Sequence, residues 1–284
     1  MRESVSVYSL WRDSEPHIYK TLSQLEDLEK LNYDFEYFFY ENDSKDNTVK
    51  ILSEWLSTRK GSFEHEDLKI KKFISNPDID RMEFLAQCRN KCKNLGKNST
   101  SKYCLLIDSD IEFNNENLIK QINLLNELED AVAITPNVRQ INVQDLVYKT
   151  SPDIFYDVHA LRDVDKQKGI SFTDCPFIKS KDRLDWILKK PIKCTSSFGG
   201  FFILLNDHFQ QTEWSTNGDC EHVLFCEKLL KFGYIYIDPN SKVYTEPDLS
   251  NITIEDIQET ATKQLNYLEF RKTKTFDFIK SKSC

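Results

Sequence analysis

The stretch Tyr103–Phe113, YCLLIDSDIEF, decides how the rest of the chain is read. An apolar run of the kind that forms a buried strand ends at two acids one residue apart, Asp108 and Asp110. Side chains two apart on an extended strand point the same way, so the spacing predicts two carboxylates converging at a strand's end. Like charges held that close are unfavourable unless a cation or a shared proton relieves them. Mg²⁺ and Mn²⁺ prefer oxygen ligands, and Mg²⁺ is commonly held by one or two carboxylates plus substrate phosphates. The element therefore predicts a metal site that waits for a phosphorylated partner.

Working outward, strand and helix patterns alternate. VSVYSLW (5–11) reads as a strand, and 17–31 carries Ile18, Leu22, Leu25 and Leu28 at helical spacing. YDFEYFFY (33–40) is a second strand, followed by an amphipathic helix over 47–58. A third strand is expected over Lys69–Ile74, a helix over 80–95, the Tyr103–Ile107 strand, a helix over 115–129 and a short strand at Ala131–Thr135. This alternation predicts an α/β fold: a Rossmann-like domain with a mixed, mainly parallel central sheet flanked by helices. Ligands in such sheets bind beyond the carboxyl ends of strands. Asp108 and Asp110 sit at one such end and Glu41-Asn42-Asp43-Ser44 at another, so one shared crevice is expected.

Residues 138–195 lose periodicity, and a connection that long is usually functional or mobile. FGGFFILL (198–205) resumes as a strand, 221–232 as a helix, YIYID (234–238) as a strand and 252–270 as a helix. One domain over 1–284 is expected, divided into halves at 1–135 and 136–250 with a C-terminal helix over 251–284.

Net charge is −8, which argues against a general nucleic-acid binder. No apolar run is long enough to span a membrane, and MRESVSVYSLWRD lacks the pattern of a signal peptide. A soluble cytoplasmic protein, or a catalytic domain cut from something larger, is the expectation. The eight cysteines form no CxxC pair, so reduced and mostly buried thiols are expected.

Four further segments carry candidate chemistry. In YFFYENDSKDNTVKILSEW (37–55), Asp43, Ser44 and Asp46 suit capping of the next helix, while Glu41 and Asn42 are placed to read a base or ribose edge. In RMEFLAQCRNKC (81–92), Arg81 and Arg89 lie two turns apart near one helix face, and Arg suits pyrophosphate. Gly199 and Gly200 allow backbone to approach a ligand or form a bulge. Asp219, Glu221 and His222 precede a helix, where Asp219 caps it or one of the three serves as a general base.

The order of these segments resembles glycosyltransferases of the GT-A fold across most of residues 5–246. ENDSKDNT looks like their first nucleotide-binding turn, Arg89-Asn90 like the pair before their acid strand, DSD like their DxD motif, and GDCEHV like their acceptor-side acidic motif. GT2-type enzymes and the fungal capsule-associated and Anp1-type mannosyltransferases look most similar. The resemblance implies transfer of a sugar from a UDP- or GDP-sugar to a hydroxyl of a glycan or glycoconjugate, with Mn²⁺ or Mg²⁺ as cofactor. It implies donor contacts from Glu41, Asp43, Arg81, Arg89, Asp108 and Ser109, metal ligation by Asp108 and Asp110, and a base among Asp219, Glu221 and His222. Many relatives place a third metal ligand, often His, after the last core strand. SKVYTEPD (241–248) has no His, and either Glu246 substitutes or the site uses water. The other readings are a catalytically silent glycan- or protein-binding module and a nucleotidyltransferase, the latter lacking any Gly-rich phosphate cradle.

Overall fold

A strand buried on both faces is apolar at successive positions, and β4 (Tyr103–Asp108) is buried throughout until Asp108. The same logic builds β1 (Glu3–Trp11) and β2 (Tyr33–Asn42), each with five or more successive buried residues. These are the centre of the sheet in the computed structural model, which describes residues 2–71, 73, 79–140, 154–171 and 173–245. The further elements are α1 (Ile18–Leu28), α2 (Thr48–Leu56), β3 (Gly61–Glu66), α3 (Ile79–Leu95), β5 (Ile111–Glu112), α4 (Asn115–Glu127) and β6 (Ala131–Gln140). After them come β7 (Ile154–Phe155), β8 (Arg162–Asp163), α5 (Ser180–Ile187), β9 (Ile192–Ser196), β10 (Phe201–Leu205), α6 (Asn206–Gln210), α7 (Glu221–Leu229) and β11 (Tyr234–Thr245).

The strand order is β3-β2-β1-β4-β10-β6-β11-β9-β8, with β5 on β11 and β7 on β6. From β3 to β4 every pairing is parallel, whereas β10 runs antiparallel to both its neighbours, as do β9 and β11 to each other. Helices flank the sheet: α3 packs on β1 and β2, α4 on β10 and β11, and α7 on β9. The fold is mixed α/β, as the alternation predicts. Residues 1–139 and 154–245 form one compact unit. The helix expected over 251–284 lies outside the described residues.

The expected helical stripes hold. Ile18, Leu22, Leu25 and Leu28 are all buried, and α4 starts at a reciprocal Asn114–Asn117 capping box. One strand is displaced: the third is β3 at Gly61–Glu66, not Lys69–Ile74. It forms the sheet's edge, has no fully buried residue and so carries no apolar run to find. Lys69 instead takes a left-handed φ of 58° in a turn.

Parallel register places the chemistry. Trp11 pairs with Glu41, and Leu10 with Asp108. The C-terminal ends of β1, β2 and β4 therefore share one edge, and the shared-crevice expectation holds at the level of the strands. None of the seven described cysteines is in a disulfide, and Cys88, Cys92, Cys104, Cys194 and Cys226 are buried.

Candidate active site

The turn after β2 is held by its own acids. Glu41 is fully buried; one carboxylate oxygen accepts the Ser44 N–H at 2.8 Å, and the other meets His65 Nδ1. Asp43 has a φ of 60° and accepts the backbone N–H groups of Lys69 at 2.7 Å and Ile70 at 3.3 Å. Burial alone would raise its pKa, but the Asn42 amide and these N–H groups outweigh it and hold the carboxyl below its ordinary value. Asp46 accepts the Thr48 N–H at 3.0 Å and so serves the start of α2. The Ser44 hydroxyl accepts the Asp13 N–H at 2.8 Å, tying this turn to the loop after β1.

The DSD acids are placed differently. β4 ends at Asp108, and Ser109-Asp110 form a turn before β5, so the pair straddles a bend rather than lying along one strand. The Asp108 side chain is 35% exposed and Asp110 is exposed. Ser109 is anchored rather than open: its carbonyl accepts the Thr21 hydroxyl at 2.6 Å, and the Ser14 hydroxyl lies 3.4 Å from its own. The Thr245 hydroxyl at the end of β11 donates to Asp110 at 3.3 Å. The expected third ligand, Glu246, lies outside the described residues.

Arg89 connects the two sides of the site. Its guanidinium donates to Asp108 at 3.3 Å and to Glu221, the first residue of α7, at 3.1 Å, and packs 4.8 Å over the Phe198 ring. Burial favours losing its charge, but Asp108 and Glu221 outweigh that and raise its pKa. Asn90, the next residue, exchanges two 2.9 Å hydrogen bonds with the Trp214 backbone and so pins α3 to the segment before α7.

The three candidate bases separate. Asp219 has a 44% exposed side chain and accepts from Arg162 at 2.5 Å. Burial pushes its pKa up, and Arg162 with the Cys220 N–H brings it below its ordinary value. Glu221 is buried against Arg89. His222 is buried and stacked on Phe198 at a centroid distance of 3.5 Å, with Trp214 edge-on. Burial, helped by Arg89, drives its pKa well below its ordinary value, so the ring is neutral.

Two residues that no motif singled out also reach this site. Asp157, just past β7, accepts the Gly199 N–H at 2.9 Å and the Ala160 N–H at 3.2 Å. Burial first, and then the charges of Asp108 and Glu221, raise its pKa above the usual carboxylate range. Tyr156 beside it feels Asp110, Asp157, Asp108 and Arg81. The glycine pair takes φ values of 65° and 69°. A Cβ at Gly200 would sit 2.5 Å from Ile111 and 3.4 Å from Asp108 Oδ2, so the backbone passes there only without a side chain.

Among the described residues no cluster of three or more His, Cys, Asp and Glu forms a ready-made metal cage. Two exposed carboxylates fit a hard dication that keeps positions for water and phosphate oxygens. The sequence singles out Asp108, Arg89 and Glu221, which hydrogen bonds join here, with Asp110 two residues on. Sequence reasoning missed Asp157, Tyr156 and Arg162, which lie in the stretch without periodicity.

Comparison with known proteins agrees. The family model described as Cryptococcal mannosyltransferase 1 matches residues 5–283, and the chain belongs to that glycosyltransferase family. No curated protein matches by sequence. Among solved structures, S. aureus TarS 1-349 in complex with UDP is similar at 13% identity and TM-score 0.52, covering 87% of this chain and 61% of that one. The same protein in complex with UDP-GlcNAc gives 14% identity and TM-score 0.52, covering 89% and 62%. The chain thus spans about three fifths of those structures, and the likeness is one of GT-A fold. No described helix is long and apolar enough to cross a membrane.

Proposed function

We propose that this member of the family is a metal-dependent glycosyltransferase in glycan synthesis. It transfers a hexose, by the family's description mannose, from a nucleoside-diphosphate sugar to an acceptor hydroxyl. The observation that carries the reading is the solvent-exposed acid pair Asp108/Asp110 at the end of the central strand, beside a neighbouring turn whose acids Glu41 and Asp43 are buried. Mn²⁺ or Mg²⁺ bound there would neutralise the diphosphate and help it leave.

This chain's residues do the rest. Asp110 and Asp108 would hold the metal, and the Asp108 carboxylate also accepts from Arg89. Arg89 keeps its charge between Asp108 and Glu221, so Glu221 acts by positioning Arg89. Of Asp219, Glu221 and His222, only Asp219 meets solvent substantially, and we assign it the acceptor's proton. Arg81, whose charge acts on Tyr156, is assigned to the diphosphate. Asp43 and Glu41 serve by fixing the turn that lines the nucleoside side. In this reading residues 1–135 supply the nucleotide and metal contacts, and 136–250 supply the acceptor's base.

A thermal-shift panel tests it. UDP- and GDP-sugars are added to the full chain with Mn²⁺, and one donor should stabilise strongly by mass action. EDTA should remove the shift, because diphosphate then meets two carboxylates with no dication between them. A donor shift that survives EDTA would overturn metal dependence, and no shift from any donor would overturn the reading.

A further inference from the structure

Between the acid pair and the glycine turn, one dipeptide is placed to read a sugar. Asp157 is bonded to the turn, because Gly199 N–H donates to its Oδ2 at 2.9 Å. The turn is bonded in its own right to the acid strand, because Asp108 N–H donates to the Gly200 carbonyl at 2.9 Å. Asp157, the glycine pair and Asp108 are therefore one hydrogen-bonded chain. Asp157 uses one lone pair on each oxygen for backbone, Ala160 N–H taking the other at 3.2 Å, and a carboxylate has about four such sites. Its remaining acceptor capacity lies next to the charges of Asp108 and Glu221.

Tyr156 supplies the opposite polarity. Its backbone is fixed by donation to the Val138 carbonyl at 3.1 Å, while its residue surface stays 38% exposed. Its phenol, within the field of Asp110, Asp157 and Asp108, is a proton donor at neutral pH. Among the described residues its side chain makes no hydrogen bond and no ring contact with the protein. An aromatic with a hydroxyl tip beside a carboxylate is the combination that a pyranose needs. The ring covers C–H groups, the phenol donates and the carboxylate accepts from hydroxyls.

We infer that Tyr156 and Asp157 form the donor-sugar subsite, reading hydroxyls of the hexose whose diphosphate is held at Asp108 and Asp110. This rests on the proposed function and adds to it the residues that distinguish a nucleotide sugar from the bare nucleotide. Gly199 and Gly200 sit tightly against the protein, where a Cβ would meet Val138 or Ile111.

The test is isothermal titration of the full chain in Mn²⁺ with GDP and GDP-mannose, and with UDP and UDP-GlcNAc. The pair that binds tighter gives a sugar increment, the ratio of nucleotide to nucleotide-sugar dissociation constants. Asp157→Asn should lose about tenfold of that increment and Tyr156→Phe about threefold, with nucleotide affinity within about twofold of wild type. Tyr156→Phe removes one oxygen only and answers the question even if Asp157→Asn disturbs the glycine turn. If both variants keep the wild-type increment, or wild type shows none, the subsite is wrong while the metal-nucleotide reading stands. If wild type binds neither nucleotide in Mn²⁺, the proposed function fails and the subsite with it.

Discussion

Two acidic turns sit at the same edge of the sheet, residues 41–46 after β2 and 108–110 after β4, and they use their carboxylates in opposite ways. In the first, Glu41 and Asp43 are buried and their oxygens are matched to Ser44, His65, Lys69, Ile70 and Asn42. In the second, Asp108 is partly exposed and Asp110 exposed, with Arg89 on Asp108 and Thr245 on Asp110. Residue type and place in the fold are shared, so neither separates the two turns. Exposure does: the first pair is turned into the protein, and the second meets solvent, where a ligand can reach it.

The sharpest way to break this contrast is to neutralise the open pair. Asp110→Asn should lower kcat/KM for sugar transfer by about 10²–10³-fold, since it removes a metal ligand rather than a fold contact. Its melting temperature should stay within about 2 °C of wild type, because the side chain is exposed and its Thr245 contact is long at 3.3 Å. Steady-state kinetics with a calorimetric scan check both, and an unfolded Asp110→Asn would show that the second turn is structural after all.

The filled turn should respond the other way. Asp43→Ala leaves the Lys69 and Ile70 N–H groups without their acceptor and places a Cβ without a local partner at φ 60°. A cost of about 2–3 kcal/mol in unfolding free energy is expected, read by urea denaturation. Metal affinity of the folded fraction should be unchanged. A stable Asp43→Ala protein that has lost Mn²⁺ binding would reverse the roles assigned to the two turns.

The same contrast explains what could be read from residues alone. The central strands were legible because each is buried on both faces and therefore written as an apolar run, and α1, α2 and α4 because their stripes face that sheet. β3 was not, since an edge strand with no buried face leaves no pattern. The DSD acids were legible because they interrupt an apolar run. Whether Glu41 faced a ligand or the protein was not, because its partner His65 sits on that illegible edge strand. Asp157 was invisible for a related reason. It is a single acid in a stretch without period, and its contact with Gly199 spans 42 residues of sequence. Local pattern reports burial, whereas long-range pairing decides which polar groups are free.

The smallest expected effect extends the contrast to His222, which sits next to an acid but has its ring packed in the core. A neutral, buried ring in the folded state and a solvated ring in the unfolded state bind protons differently. The folded pKa is depressed, so the unfolded chain takes up a proton below its ordinary value of about 6.5 that the folded chain refuses. Stability therefore falls as pH falls through that value, by about 1 kcal/mol between pH 6.5 and 5.5 from this group. Asp157, Asp182 and Asp238, with raised folded pKa values, contribute with the opposite sign, so the group must be isolated by difference. His222→Phe keeps a ring on Phe198 and removes the titration. Urea unfolding of wild type and variant should give a stability gap that shifts against wild type as pH drops from 6.5 to 5.5. Parallel curves would mean that His222 reaches solvent, and with it a place among the groups that can take the acceptor's proton.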